Sequence, residues 1–234
     1  MRISIAGNLT RLLVGAVILL SAPFAFSDDL PARVPLVDTK VAQTESSREI
    51  LKYLVNCALD EKTIVVANID GQSFEYPGDI GLAPQWQTRG LDESEKRWVS
   101  ACILARTNFY GVTVQISMVS QFESNVAGLQ VTDVEANEYT LSEATFFGNV
   151  FDDDPVSYVC GPARTKARIK ALTARRRVCS LPKTSGNRLD LTLCGMVYVG
   201  TCKPSAFTQK GVKYREAIAV FLPAKVPQHS AEQH

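Results

Sequence analysis

Six cysteines, Cys57, Cys102, Cys160, Cys179, Cys194 and Cys202, constrain this chain more than any other feature. An even set with no C-x-x-C pair predicts a disulfide framework rather than a thiolate metal site, because structural zinc sites need closely spaced cysteine pairs or added histidines. The sequence also explains how the thiols would reach an oxidising compartment. Arg2 and Arg11 precede an apolar run over Leu12–Leu20, and Ala25-Phe26-Ser27 precedes Asp28-Asp29. This is the order of a secretory signal, with cleavage expected after Ser27. The run is too short for a membrane span, which takes about 20 apolar residues. No cysteine follows it directly, so neither a lipid anchor nor a transmembrane anchor is expected. The expectation is therefore an exported chain, periplasmic or extracellular.

Residues 28–45, with Pro31 and Pro35, read as an extended lead-in. A capping pair Ser46 and Glu49 predicts a helix over 48–59 with Ile50, Tyr53, Leu54, Cys57 and Ala58 on its apolar face. Thr63–Ile69 and Gln72–Tyr76 flank Asp70-Gly71 and predict a hairpin. Asp92 and Glu95 cap a second helix whose stripe runs Trp98, Ala101, Cys102, Ala105 and Phe109, with Gly111 placed to end it. Val112–Met118 alternates apolar with polar and predicts a strand directly after. Thr165–Ala171 suits a strand or a helix, Gly195–Thr201 and Glu216–Leu222 read as strands, and 224–234 reads as a flexible tail. The fold class is α+β: a single domain over 46–223, two N-terminal helices on a mostly antiparallel sheet, stapled by disulfides. Cys57 and Cys102 lie on the apolar faces of neighbouring helices and are expected to pair. Proximity alone joins Cys160 with Cys179 and Cys194 with Cys202.

The blocks Trp98-Val99-Ser100-Ala101-Cys102, continuing through Ala105-Arg106-Thr107-Asn108, and Phe146-Phe147-Gly148-Asn149 resemble those of an uncharacterised group of exported, cysteine-containing bacterial proteins. That resemblance implies export and disulfides and carries no activity. It also implies a departure, because relatives have further cysteines before the Trp98 helix, where this chain has Leu91 and Glu95.

Chemistry is narrowed mainly by exclusion. The two histidines, His229 and His234, lie in the terminal tail, so a Ser-His-Asp triad, a Cys-His pair or an H-E-x-x-H metal site lacks a positioned imidazole. No S-x-x-K stands in a helical setting, since Ser180–Lys183 spans Pro182. Paired carboxylates are the remaining hydrolytic route, with Glu135, Glu138, Glu143 and Asp152–Asp154 as suppliers, although surface acids are the ordinary reading. The triple Asp lacks the alternating spacing of a Ca²⁺ loop. Neither a cofactor nor a metal site is expected.

Charge is segregated along the chain. Residues 119–154 carry eight acids and no Lys or Arg, whereas 160–183 carry eight bases and no acid. The two segments are expected to screen one another. Arg175, Arg176 and Arg177 are the candidate anion-binding residues, suited to an anionic envelope surface, but neutralisation by the acidic segment, or a simple charged loop between Cys160 and Cys179, is the ordinary reading. No aromatic lies between Cys160 and Cys179, which disfavours nucleic-acid stacking. Phe146–Asn149 suits a pocket, but it and Trp86 and Trp98 read first as core. Two functions stay open: a non-catalytic binding or envelope-associated protein, and a carboxylate-based hydrolase acting on an envelope component.

Overall fold

A computed structural model describes residues 31–36, 39–163, 165–185, 188–192, 194–203 and 205–225. The signal segment 1–27, residues 226–234 of the tail and both histidines lie outside the described residues. In chain order the elements are β1 (Ala32–Pro35), α1 (Glu45–Ala58), β2 (Thr63–Ile69), β3 (Gln72–Pro77), α2 (Glu93–Arg106), β4 (Ser117–Ser120), α3 (Asp133–Glu138), β5 (Leu141–Asn149), β6 (Val156–Cys160), α4 (Lys166–Ala174), β7 (Pro182–Ser185), β8 (Arg188–Thr192), β9 (Val197–Tyr198), β10 (Phe207–Gln209), β11 (Val212–Tyr214) and β12 (Ala217–Leu222).

The class is α+β. A five-stranded sheet of order β4-β12-β5-β6-β9 is antiparallel except at the β6–β9 pair. Helix α2 lies on one face of it, against β5 and β12, and α1 packs on α2 and on β3. The helix α2 is buried almost all round, with Trp98, Val99, Ala101, Cys102, Leu104 and Ala105 in the core. Its start follows the predicted capping box: the Asp92 carboxylate accepts from the Ser94 and Glu95 amides, and Glu95 accepts from the Asp92 amide. On the opposite face of the sheet, Phe147 stacks on Phe207 at 4.2 Å and on Tyr158 at 5.3 Å, under the β10–β11 hairpin. Phe146 faces the α2 core. Asn149 is spent within its own turn, donating to Asp152 and accepting from the Phe151 amide, so this block is core and not a pocket.

Several sequence expectations shift. The lead-in contains β1, which pairs in parallel with β2 as the edge of a small β1-β2-β3 sheet; edge position is what lets Pro35 take part. Helix α1 is capped by Thr44 and Ser47 rather than Ser46 and Glu49, because Thr44 adopts the extended conformation and exchanges hydrogen bonds with Ser47. The buried face of α1 is Leu51, Val55, Cys57 and Ala58, one step round from the expected stripe, which leaves Ile50 64% and Tyr53 40% exposed. Helix α2 stops at Arg106, before Phe109 and Gly111, and Phe109 is 58% exposed. The expected 112–118 strand is paired only from Ser117 onward. Thr165 caps a helix, settling the 165–171 ambiguity, and the 195–201 strand shrinks to Val197–Tyr198. Asp70-Gly71 forms the expected turn, both residues having positive φ, and Lys210-Gly211 forms a second such turn.

The disulfides join Cys57 to Cys102, Cys160 to Cys202 and Cys179 to Cys194. The two pairings drawn from proximity are therefore replaced. Parallel pairing of β6 with β9 carries the chain back past Cys160, where the Gly161 amide donates to the Gly200 carbonyl, and this brings Cys202 alongside. Cys179 and Cys194 flank the β7–β8 hairpin and close its base.

Candidate functional site

A cleft of about 730 Å³ opens between the N-terminal half of α1, the end of α2, the 111–118 segment and α3. Sequence logic places each wall. Helix α1 carries more apolar surface than its core contact covers, so Ile50 and Tyr53 are left as one wall, with Glu49 beside them. Ile103 and Arg106 from the last turn of α2 line it too, as do Val114, Ile116 and Met118. Glu135 enters from α3.

The residues behind the cleft hold it open. Amides of Ile80, Leu82 and Ala83 donate to the Asn56, Cys57 and Ala58 carbonyls, completing the C-terminus of α1. Gly128, at φ +76°, lies against the Ile80 carbonyl so closely that a Cβ there would fall 1.8 Å from its oxygen. Only glycine brings the 121–132 loop this near. Arg106 binds Asp79 at 2.7 Å and also the Asn56 side-chain oxygen, so neither Arg106 nor Asp79 is without a partner.

Arg177 reaches the cleft from below. Its Nε donates to Glu143 at 2.9 Å, Nη2 to the Ala105 carbonyl at 2.7 Å and Nη1 to the Thr107 carbonyl at 3.1 Å. It thus closes the C-terminal end of α2 while neutralising a buried acid. Glu143 is turned inward by a bulge in β5, where the register slips between Val220 and Phe221. Elsewhere, Glu216 binds Arg97 and the Ser94 hydroxyl. Burial pushes its carboxyl up, but the Arg97, backbone and Ser94 hydrogen bonds outweigh that and hold it below the usual carboxylate range.

The three arginines do not share one exposed face. Helix α4 ends with Arg176 at φ +54°; its amide donates to the Thr173 carbonyl and the Arg177 amide to the Leu172 carbonyl. This is a Schellman termination, with arginine where glycine is usual. The reversal turns Arg175 and Arg177 inward on either side of Arg176. Arg175 donates to the Ala171, Pro223 and Ala224 carbonyls, which leaves only Arg176 exposed. Arg176→Gly removes the left-handed strain of a side chain and is expected to raise unfolding free energy by about 0.5–1 kcal/mol. A urea melt with unchanged m-value reads it; a lower midpoint would show that the Arg176 side chain contributes to stability.

No protein-family model, curated protein or solved structure matches this chain.

The candidate hydrolytic acids do not converge. Glu143 is tied to Arg177, Asp152 accepts from Asn149, Asp154 pairs with Lys210, and Glu135 alone of that set lines the cleft. Among the described residues no three His, Cys, Asp or Glu side chains are grouped to hold a metal ion. Among the described residues one ion pair, Glu143–Arg177, joins the acidic and basic segments, and the Arg168 guanidinium donates to the Glu143 backbone carbonyl beside it. The cleft residues Glu49, Ile50, Tyr53 and Ile116 were not singled out as a site by sequence reasoning. The available signal was the apolar pair Ile50 and Tyr53, lying outside the face formed by Leu51, Val55 and Ala58.

Proposed function

We propose that this protein is an exported, non-catalytic binding protein whose ligand occupies the cleft beside α1. The carrying observation is that exposed Ile50 and Tyr53 line, together with Val114, Ile116 and Met118, a cavity of small-molecule or side-chain size. Three disulfides, the signal-like N-terminus and the resemblance to exported proteins support export. No helix among the described residues is long and apolar enough to cross a membrane.

The neutral apolar dye Nile red tests this reading. Saturable binding is expected, with loss of about tenfold or more in affinity for Tyr53→Asp, a half-exposed position where the fold tolerates polarity. Dye binding unaffected by Tyr53→Asp would sink the assignment. A second reading rests on Glu49 and Glu135 lining the same cleft: carboxylate-based hydrolysis of an envelope component. Turnover of envelope polysaccharide that Glu135→Gln abolishes would replace binding by that reading.

A further inference from the structure

We infer that the cleft takes an extended peptide segment carrying apolar side chains and at least one Lys or Arg, added as a strand alongside residues 112–116. The inference rests on the binding reading above and names its ligand class.

Residues 112–116 have the sequence pattern of a strand without its partner. Val112, Val114 and Ile116 are half-buried and alternate with exposed Thr113 and Gln115. Yet among the described residues the backbone of Thr113, Val114, Gln115 and Ile116 makes no hydrogen bond, and β4, which continues this segment, pairs on one side only, with β12. Unpaired, strand-patterned backbone at a sheet edge is the template for strand addition, in which main-chain bonds give affinity and flanking pockets select alternate side chains. The flanking pocket is present: Val112, Thr113, Val114 and Ile116 line the same cleft as Ile50 and Tyr53.

Charge selects the sign of the ligand. Of the acids in the cleft, Asp79 is paired with Arg106, whereas Glu49 and Glu135 have no ion-pair partner among the described residues. The two cleft arginines are committed, Arg106 to Asp79 and Arg177 to Glu143. The uncompensated charge is negative and sits beside apolar wall, so a segment with an apolar residue and a basic one is complementary, and an acidic segment is repelled.

The probe is a fluorescein-labelled, acetylated peptide of sequence Lys-Val-Ile-Val-Lys-Val, read by anisotropy against the oxidised, exported protein. Saturable one-to-one binding is expected, about tenfold weaker for the peptide with Glu in place of Lys and about tenfold weaker for Glu49→Gln/Glu135→Gln. Two further peptides carry N-methyl groups on alternate amides, one set in each register. Because a strand edge uses every second amide, one register is expected to lose about tenfold or more and the other to bind nearly normally. Equal losses in both registers, or equal binding of the Lys and Glu peptides, would overturn the inference. Nile red binding with no peptide binding would overturn it while leaving the cleft assignment standing; failure of both would remove the cleft assignment itself. A dimer in sedimentation equilibrium that the peptide cannot displace would give the edge to a second copy and likewise end the proposal.

Discussion

Arg177→Met is expected to lower the free energy of unfolding by about 3–5 kcal/mol, measured by guanidinium denaturation of the oxidised protein. The size follows from what the guanidinium holds. Glu143 is 1% exposed, and among the described residues Arg177 provides the one hydrogen bond to its carboxylate, at Oε2, while Oε1 has no partner. Removing the cation therefore strands a buried carboxylate, and it also releases the Ala105 and Thr107 carbonyls at the end of α2. The double variant Glu143→Leu/Arg177→Met should recover part of the loss, because an apolar pair of similar volume costs no charge desolvation. Recovery should be incomplete, since the two carbonyls stay without their donor. A double-mutant cycle separates the terms. A loss below about 1 kcal/mol for Arg177→Met would mean that Glu143 is not held as a buried ion in the fold.

The same residue shows where the sequence was legible and where it was not. Local rules sufficed when the signal residue and the structure coincided: Asp92 and Glu95 at the start of α2, Asp70-Gly71 in the first hairpin, and two helical cysteines on facing apolar stripes. At Arg175–Arg177 they left two readings open, an anion-binding patch or charge neutralised internally, because a Schellman turn built on arginine carries no glycine to announce which side chains turn inward. What decides burial there is a non-local event, the arrival of Glu143 from a bulged strand. The remaining disulfides were illegible for a related reason. Chain proximity cannot report that β9 returns beside β6, and that pairing alone sets Cys202 next to Cys160.

The cleft was missed through the opposite error. Periodicity placed Ile50 and Tyr53 on the helix face expected to be core, but a helix can be wider in its apolar stripe than the surface it packs on. Likewise the 112–118 alternation predicts a complete strand, and the fold pairs only its last part. Both mismatches fall at one place. Local rules and fold disagree among residues that line one cleft, and such disagreements are expected at functional or strained sites.

The Cys57→Ala/Cys102→Ala double variant is expected to lose about 4 kcal/mol on the chain-entropy model, for a closure spanning 45 residues. For Cys179→Ala/Cys194→Ala, with a span of 15, the same model gives about 3 kcal/mol. Two further considerations widen the gap. Both Cys57 and Cys102 are fully buried in the main core, where Cys179 also lies with Cys194 packed against it, but Cys194 is only partly buried, so alanine leaves more enclosed unfilled volume at the first bridge. The first bridge also fixes α1, which supplies Ile50 and Tyr53 to the cleft, to α2, which supplies Ile103 and Arg106. Loss of the Cys57–Cys102 bridge should therefore weaken Nile red binding even at temperatures where the sheet stays folded. Loss of the hairpin bridge should leave dye binding unchanged. The comparison uses denaturant melts and dye titrations on the two double variants, with non-reduced peptide mapping to verify the surviving pairs. A smaller stability loss for Cys57→Ala/Cys102→Ala than for Cys179→Ala/Cys194→Ala would show that the α1–α2 contact holds without its crosslink, leaving the cleft walls positioned by packing alone.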